Sequence, residues 1–173
     1  MNPMKAIKIE KATLNFGSGA DQKKLEKGIK LITMITGKEP VKTLAKKRIP
    51  TWGARIGLPI GAKLTMRDAQ IQELLPRLIA SKDNILSIRC FDNNGNVSFG
   101  IPEYVDIPGV KYDPELGIVG LEVSITLKRP GFRIKNRKIM KRSIPAHHRI
   151  SRDDAIAFFK EAYGIKIKEE IEA

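Results

Sequence analysis

The chain has 173 residues, 42% of them hydrophobic, 29% charged and 6% aromatic, with a formal net charge of +13 at pH 7. That length predicts a single domain with a true core, and the charge points to nucleic acid or an anionic membrane surface as partner. One cysteine excludes an internal disulfide, and the lack of an N-terminal apolar stretch or of any run near the ~20 apolar residues of a membrane span predicts a cytoplasmic, reducing location with no membrane partner.

Residues 5–16 alternate as a strand, with Ile7 and Ile9 on one parity and Ala12, Leu14 and Phe16 on the other after a shift. Asp21 is placed to cap a helix in which Leu25, Ile29, Ile32 and Ile35 recur at helical spacing, and Gly37 is placed to stop it. Residues 38–67 follow, with no acid from Pro40 to Arg67. Two alternating arms, 47–55 and 62–67, flank a Gly/Pro-rich tip at 56–61, which predicts a protruding basic hairpin loop.

Asp68 is placed to cap a second helix, 69–80, with Ile71, Leu74, Leu75, Leu78 and Ile79 inward and Pro76 expected to kink it or mark its start. Residues 85–91 read as a strand containing a buried Cys90, turned by Asp92-Asn93-Asn94-Gly95-Asn96 into a returning strand at 97–101. Residues 102–116 are irregular, and 118–127 alternate strongly as a strand. Residues 128–149 carry nine basic residues and no acid, without a sustained apolar period; they predict an extended segment that orders on a partner. Ser151 begins a last helix, with Asp153 and Asp154 in its first turn and Ala155, Phe158, Phe159 and Ala162 inward. Gly164 ends it, 165–167 are compatible with a short strand, and the tail is acidic. The class is α+β, with a mainly antiparallel sheet.

Charge is segregated. Residues 68–127 hold four basic and nine acidic side chains, whereas 128–152 hold ten basic and none acidic. Clustered cations suit phosphates, with counterion release and salt-dependent affinity; an evenly solvated face would spread them. No nucleophile, base and orienting group can be assembled, so no catalytic residue, cofactor or metal is expected. His147 and His148 lack further ligands at metal spacing, and Gly17-Ser18-Gly19 lacks the rest of a phosphate loop. Sparse aromatics argue against a single-strand binder, although Trp52 in the basic stretch can either stack on a base or pack into the core. Structured RNA, met through shape, phosphate and 2′-OH, fits best. The competing readings are a module for an acidic protein and a nucleic-acid-modifying enzyme.

Five stretches in collinear order, KIEKATLNFGSG (8–19), ITGKEPVKTLAKK (35–47), IPTWGARIGLPIGAKLTMR (49–67), FDNNGNVSFGI (91–101) and IPGVKYDPELGIVGLEVSI (107–125), resemble the ribosomal protein L-five family of the large subunit. The stretches RPGFRI and HRISRDDAIAFF are similar to its archaeal and eukaryotic branch. The resemblance implies a curved antiparallel sheet with helices on one face, binding to 5S rRNA in the central protuberance, a loop that reaches P-site tRNA, and a bridge to a small-subunit protein among neighbouring ribosomal proteins. It implies that Asn15, Lys38, Lys47, Trp52, Thr65 and Arg67 face 5S rRNA, and that Arg55, Gly57, Pro59 and Lys63 form the tRNA-approaching loop. Arg133, Lys135, Arg137 and Lys138 of the basic segment are expected to contact further large-subunit rRNA.

Overall fold

The computed structural model describes residues 2–67 and 69–168. In chain order the elements are β1 (Lys8–Gly17), α1 (Gln22–Thr36), β2 (Val41–Leu44), β3 (Pro59–Met66), α2 (Ala69–Ala80), β4 (Ile85–Ser87), β5 (Val97–Ile101), β6 (Leu121–Lys128), α3 (Arg152–Tyr163) and β7 (Lys166–Lys168). Five strands form one antiparallel sheet in the order β2-β3-β1-β6-β5, and β4 pairs with β7 in parallel as a separate ribbon. The α+β class is therefore observed.

Alternation decides which face is covered. Ala12, Leu14 and Phe16 of β1, Ala62, Leu64 and Met66 of β3, Val97, Phe99 and Ile101 of β5, and Leu121, Val123, Ile125 and Leu127 of β6 all point into one core. The three helices supply its other half through Leu25, Leu31, Ile32 and Ile35, then Ile71, Leu74, Leu75, Leu78 and Ile79, then Ala155 and Phe159. Each buried large side chain contributes about 1.5–3 kcal/mol. All three helices thus lie on one side of the sheet, and its opposite face is left uncovered.

The parity shift in the first strand has a structural cause. The pairing of β1 with β6 slips between Ile9 and Lys11, a β-bulge that puts one extra residue into β1 and flips the faces beyond it. The caps of α1 are as expected: Asp21 Oδ1 accepts from the amides of Lys23 and Lys24 at 2.9 and 3.3 Å, and Gly37 closes the helix at φ 69°. Around α3, Ser151 and Asp154 form a reciprocal capping box.

Other expectations are corrected. Residues 47–55 are not a strand: Pro50 lacks the amide a ladder needs, Pro50–Trp52 is a 3-10 turn, and Gly53 turns the chain at φ 63°. The strands of that hairpin are instead β2 and β3, so Pro59 and Lys63 lie in β3. Residues 85–91 are only half strand, because the Ser87 hydroxyl accepts from the Arg89 amide and starts a 3-10 turn, Ile88–Cys90. The Asn-Gly turn forms, with the Asp92 amide donating to the Asn96 carbonyl at 2.8 Å, but β5 pairs with β6 and meets the preceding chain only at Phe91 and Val97. Cys90 is half-buried, Ala162 is exposed, and α2 runs through Pro76. The Asp68 cap and the acidic tail at 169–173 lie outside the described residues.

One glycine is a packing device. A Cβ on Gly28, inside α1, would sit 1.9 Å from Phe16 Cδ1, and Phe16 is buried. Helix propensity alone makes Gly→Ala favourable by about 1 kcal/mol. Overpacking costs about 1–3 kcal/mol and more when the overlap is this deep. Gly28→Ala is therefore expected to lower the unfolding free energy by about 2 kcal/mol in urea titrations, and a gain in stability would contradict the close seating of α1 on β1.

Candidate nucleic-acid interface

The uncovered face is polar because of the same alternation. Strand register places Thr65 of β3 opposite Thr13 of β1, Thr13 opposite Ser124 of β6, and Ser124 opposite Ser98 of β5. A row of four hydroxyls therefore crosses four strands. The Thr13 and Thr65 Oγ1 atoms are 3.5 Å apart, and Ser98 Oγ donates to Ser124 Oγ at 3.1 Å. The next row reads Val41, Lys63, Asn15, Glu122, Gly100. Within it Asn15 Nδ2 donates to Glu122 Oε2 at 2.9 Å, which orients the amide and leaves its carbonyl oxygen to accept from another donor.

Cations surround these rows. Lys11 lies opposite Thr126, Lys63 opposite Asn15, and Lys8 directly opposite Lys128, while Arg67 continues the outward parity of β3. Like charges directly opposed across a ladder are unfavourable unless an anion lies between them. Glu122 is the acid set among the rows, and Glu10 sits at the bulge, 3.8 Å from Lys135 Nζ. Glu122, Thr13, Ser98 and Ser124 were not singled out from sequence. Their signal was the alternation of β1, β5 and β6, which marks every second residue as outward.

The loop 45–58 between β2 and β3 is a second surface. The Ala45 amide donates to the Leu58 carbonyl at 2.8 Å and the Gly57 amide to the Ala45 carbonyl at 3.0 Å. Ile49 and Ala54 exchange both backbone bonds, at 2.9 and 3.1 Å. These bonds hold the turn that presents Trp52, whose side chain is 70% exposed. Lys46, Lys47, Arg48, Arg55 and Gly57 are exposed on the same loop. Lys47 and Trp52, expected beside Asn15, thus belong to the loop, and Lys63, expected in the loop, stands beside Asn15. Lys38 is exposed just past the C-terminal end of α1, where the helix dipole favours a cation.

The basic stretch 128–149 is a chain of short turns folded against the core rather than an extended arm. Arg129 is its anchor. Its side chain is 10% exposed, and the guanidinium donates to the Arg149 carbonyl at 2.9 Å and to Asp154 Oδ2 at 3.0 Å. His148 Nε2 lies 2.9 Å from the Pro130 carbonyl and its ring meets Phe132 edge-on at 5.7 Å. Lys135 sits 5.0 Å over the Phe132 ring, so it is engaged within the fold, whereas Arg133, Arg137 and Lys138 are exposed. Partial burial pushes the Asp154 carboxyl up, but the hydrogen bonds from Ser151 and the adjacent Arg129 charge outweigh it and hold it below its ordinary value.

Comparison with known proteins places these features in a family context. Residues 2–55 match the family described as Ribosomal protein L5, and residues 59–158 match the C-terminus of the same ribosomal family. The large ribosomal subunit protein uL5 of Sulfurisphaera tokodaii is 44% identical over 170 residues, covering 98% of this chain and 96% of the relative. The protein of the same name from Nanoarchaeum equitans is 43% identical over 167 residues, covering 96% and 98%, and that from Methanococcus vannielii is 40% identical over 168, covering 95% and 93%. The two family matches meet between β2 and β3, yet strands from both lie in one sheet.

The Arg129 anchor yields a stability test. Asp154→Ala leaves a mostly buried guanidinium without its counter-charge. Breaking a fully buried pair costs about 3–5 kcal/mol; Asp154 is 40% exposed and partly screened, so a loss of about 2 kcal/mol is expected in urea titrations at pH 7. Because the folded carboxyl titrates below its ordinary value of 3.8, its contribution is full above that pH and is lost as pH falls through the folded value. The stability gap between the parent protein and Asp154→Ala is thus expected to be flat from neutral pH to about 5 and to shrink below about 4.

Proposed function

The chain belongs to the ribosomal protein L5 family, and from that membership we propose that it is a non-enzymatic, structural component of the large ribosomal subunit in the cytoplasm that binds 5S rRNA through the uncovered face of its sheet. The observation that carries this reading is the face itself: four hydroxyls in one row and the Asn15–Glu122 pair in the next, bordered by Lys8, Lys11, Lys63, Arg67 and Lys128. Its partition suits folded RNA. Cations neutralise phosphates and set affinity, while Thr13, Thr65, Ser98 and Ser124 reach 2′-hydroxyls and set register. The opposed Lys8 and Lys128 gain from a phosphate between them.

In the same reading the loop 45–58 approaches P-site tRNA through Arg55 and the backbone around Gly57. The exposed Arg133, Arg137 and Lys138 meet other large-subunit rRNA, and neighbouring ribosomal proteins, a small-subunit bridge partner among them, cover part of the remaining surface. Glu122 is a selecting element. A carboxylate on a phosphate-binding face weakens contact with RNA in general, and its bond to Asn15 presents one amide orientation to the correct RNA.

Mobility shifts of the purified protein on isolated 5S rRNA test the assignment. Lys63→Ala and Arg67→Ala are each expected to weaken binding several-fold and to reduce the slope of log affinity against log salt by about 1. Asn15→Ala is expected to weaken binding with little change of slope, and Glu122→Gln to raise affinity for unrelated structured RNA. Equal affinity for 5S rRNA and an unrelated RNA of the same length, or full binding by all three weakening variants, contradicts the face assignment. Arg55→Glu is expected to leave 5S rRNA binding intact and to lower P-site tRNA occupancy on assembled ribosomes; loss of 5S rRNA binding instead would move the loop into the 5S site.

A further inference from the structure

At the end of the sheet where β1 begins and β6 finishes, a cleft of about 390 Å³ lies between the ladder, α2 and α3. That is the small end of the ~300–1,000 Å³ range of ligand sites. Ile7, Ile9, Ile71, Phe158 and Tyr163 form its apolar walls. The two rings are held in place, because both pack on the fully buried Phe159, with centroids 5.6 Å away for Phe158 and 5.7 Å for Tyr163.

The polar side chains around the cleft are Lys8, Gln72 and Lys128, joined by the Tyr163 hydroxyl, and no carboxylate lines it. Lys8 stands directly opposite Lys128 in the β1–β6 ladder, an unfavourable pairing that an anion relieves. Glu10, the acid nearest Lys8 in sequence, lies 3.8 Å from Lys135 Nζ instead. Burial pushes the Tyr163 phenol up from its ordinary value, so at neutral pH it stays a hydroxyl able to donate. None of these four side chains makes a hydrogen bond or ion pair among the described residues.

Charge complementarity and apolar walls together narrow the occupant to an anion joined to an apolar body. A bare phosphate leaves the walls wet, and a nucleotide sets the polar edge of its base against isoleucines. A helix, ~10–12 Å across with its side chains, is too wide for a cleft of this volume. In an extended segment successive side chains point to opposite sides, so an apolar residue and a neighbouring acid do not enter together. A C-terminal residue carries both groups on one Cα. We propose that the cleft captures the C-terminal end of a partner polypeptide that finishes in a large apolar residue, with the side chain against Ile9, Ile71 and Phe158 and the carboxylate between Lys8 and Lys128. Lys8 and Lys128 also border the face assigned to RNA; each is a point charge on a flexible stem and serves one anion at a time. The inference stands apart from that assignment, because Lys63 and Arg67, which test it, do not line the cleft.

The full-length protein is titrated with a fluorescein-labelled pentapeptide that ends in phenylalanine with a free carboxylate, followed by anisotropy. The same peptide as its C-terminal amide, and one ending in glycine, are titrated in parallel. The free acid ending in phenylalanine is expected to bind about tenfold more tightly than either, the scale of one hydrogen bond to a charged group or one large apolar contact. Lys8→Gln combined with Lys128→Gln is expected to remove the preference for acid over amide without lowering the melting temperature, since it also removes the opposed like charges. Tyr163→Phe keeps the wall and loses the hydroxyl, and is expected to reduce that preference about threefold. Gln72→Trp, at an exposed position of α2 and checked for its fold by circular dichroism, is expected to fill the cleft and remove the preference for phenylalanine over glycine.

Equal binding of acid and amide overturns the proposal, as does a preference that survives the double lysine variant. Octanoate and adenosine monophosphate are tested alongside; binding of either with no binding of the peptide gives the cleft to a small acid or a nucleotide and overturns the polypeptide assignment. If the peptide does not bind while 5S rRNA still binds through Lys63 and Arg67, the cleft proposal alone fails. If the peptide binds with the stated preferences and 5S rRNA does not bind, the cleft proposal stands and the 5S assignment fails.

Discussion

The pairing of β1 along both of its edges is the constraint on which the rest depends. It meets β3 from Ala12 to Gly17 and β6 from Lys8 to Asn15, so its register is set twice. Side chains alternate with a period of two, and a slip by one residue would send Leu14 and Phe16 to solvent and Thr13 and Asn15 into the core. Losing even two large apolar burials costs several kcal/mol, a large share of a domain's net stability. The hydrophobic demand of the covered face therefore places the polar groups of the open one. Thr13, Asn15, Thr65, Glu122 and Ser124 keep their relative positions because their strand neighbours are buried.

The loop and the basic stretch are held by other means. Few buried apolar side chains secure 45–58; local backbone hydrogen bonds do, helped by the fixed φ of Pro50 and the left-handed Gly53. The stretch 128–149 hangs on one buried guanidinium that ties the end of β6 to the start of α3, with Phe132 tucked under His148 and Lys135. Cations on all three surfaces thus stand on backbone that is already fixed. Lys and Arg still lose side-chain entropy on meeting phosphate, roughly up to 2 kcal/mol each, but little further backbone ordering is required.

Much of this was legible in the residues. Helix ends declared themselves through Asp21, Gly37, Ser151 and Gly164, because caps are local chemistry. The parity switch between Ile9 and Ala12 was visible in the residues as a shift, and the pairing with β6 gives its cause as a bulge. What was not legible depends on contacts distant in sequence. The 85–91 run alternates like a strand, yet the Ser87 hydroxyl diverts it, and β5 takes β6 as partner since Val123 and Ile125 offer it a buried neighbour. Lys63 was grouped with the loop by proximity in sequence, whereas its register opposite Asn15 is a property of the sheet. Trp52 went the other way, and nothing local told whether it was buried. Family resemblance proposed the candidate residues as a set, and strand pairing divides them into two surfaces.

Net charge explains less than it first suggests. A chain at +13 attracts any polyanion, and that attraction carries little information about sequence or shape. Discrimination has to come from groups whose contribution changes sign with geometry. A hydroxyl row gains only where acceptors and donors arrive at strand spacing, and otherwise loses hydration. Glu122 gains only where the approaching RNA presents a donor and otherwise repels a phosphate. Both lie on the sheet, the hydroxyls on β3, β1, β6 and β5 and Glu122 on β6, where strand pairing fixes the backbone positions. Lys63 and Lys11 stand within the sheet, but many other exposed cations lie on the loop and on the turns after β6, where exact placement matters least for a screened Coulomb attraction. On the proposed reading, selectivity therefore rests on groups whose positions strand pairing fixes, and much of the affinity on cations whose attraction tolerates looser placement.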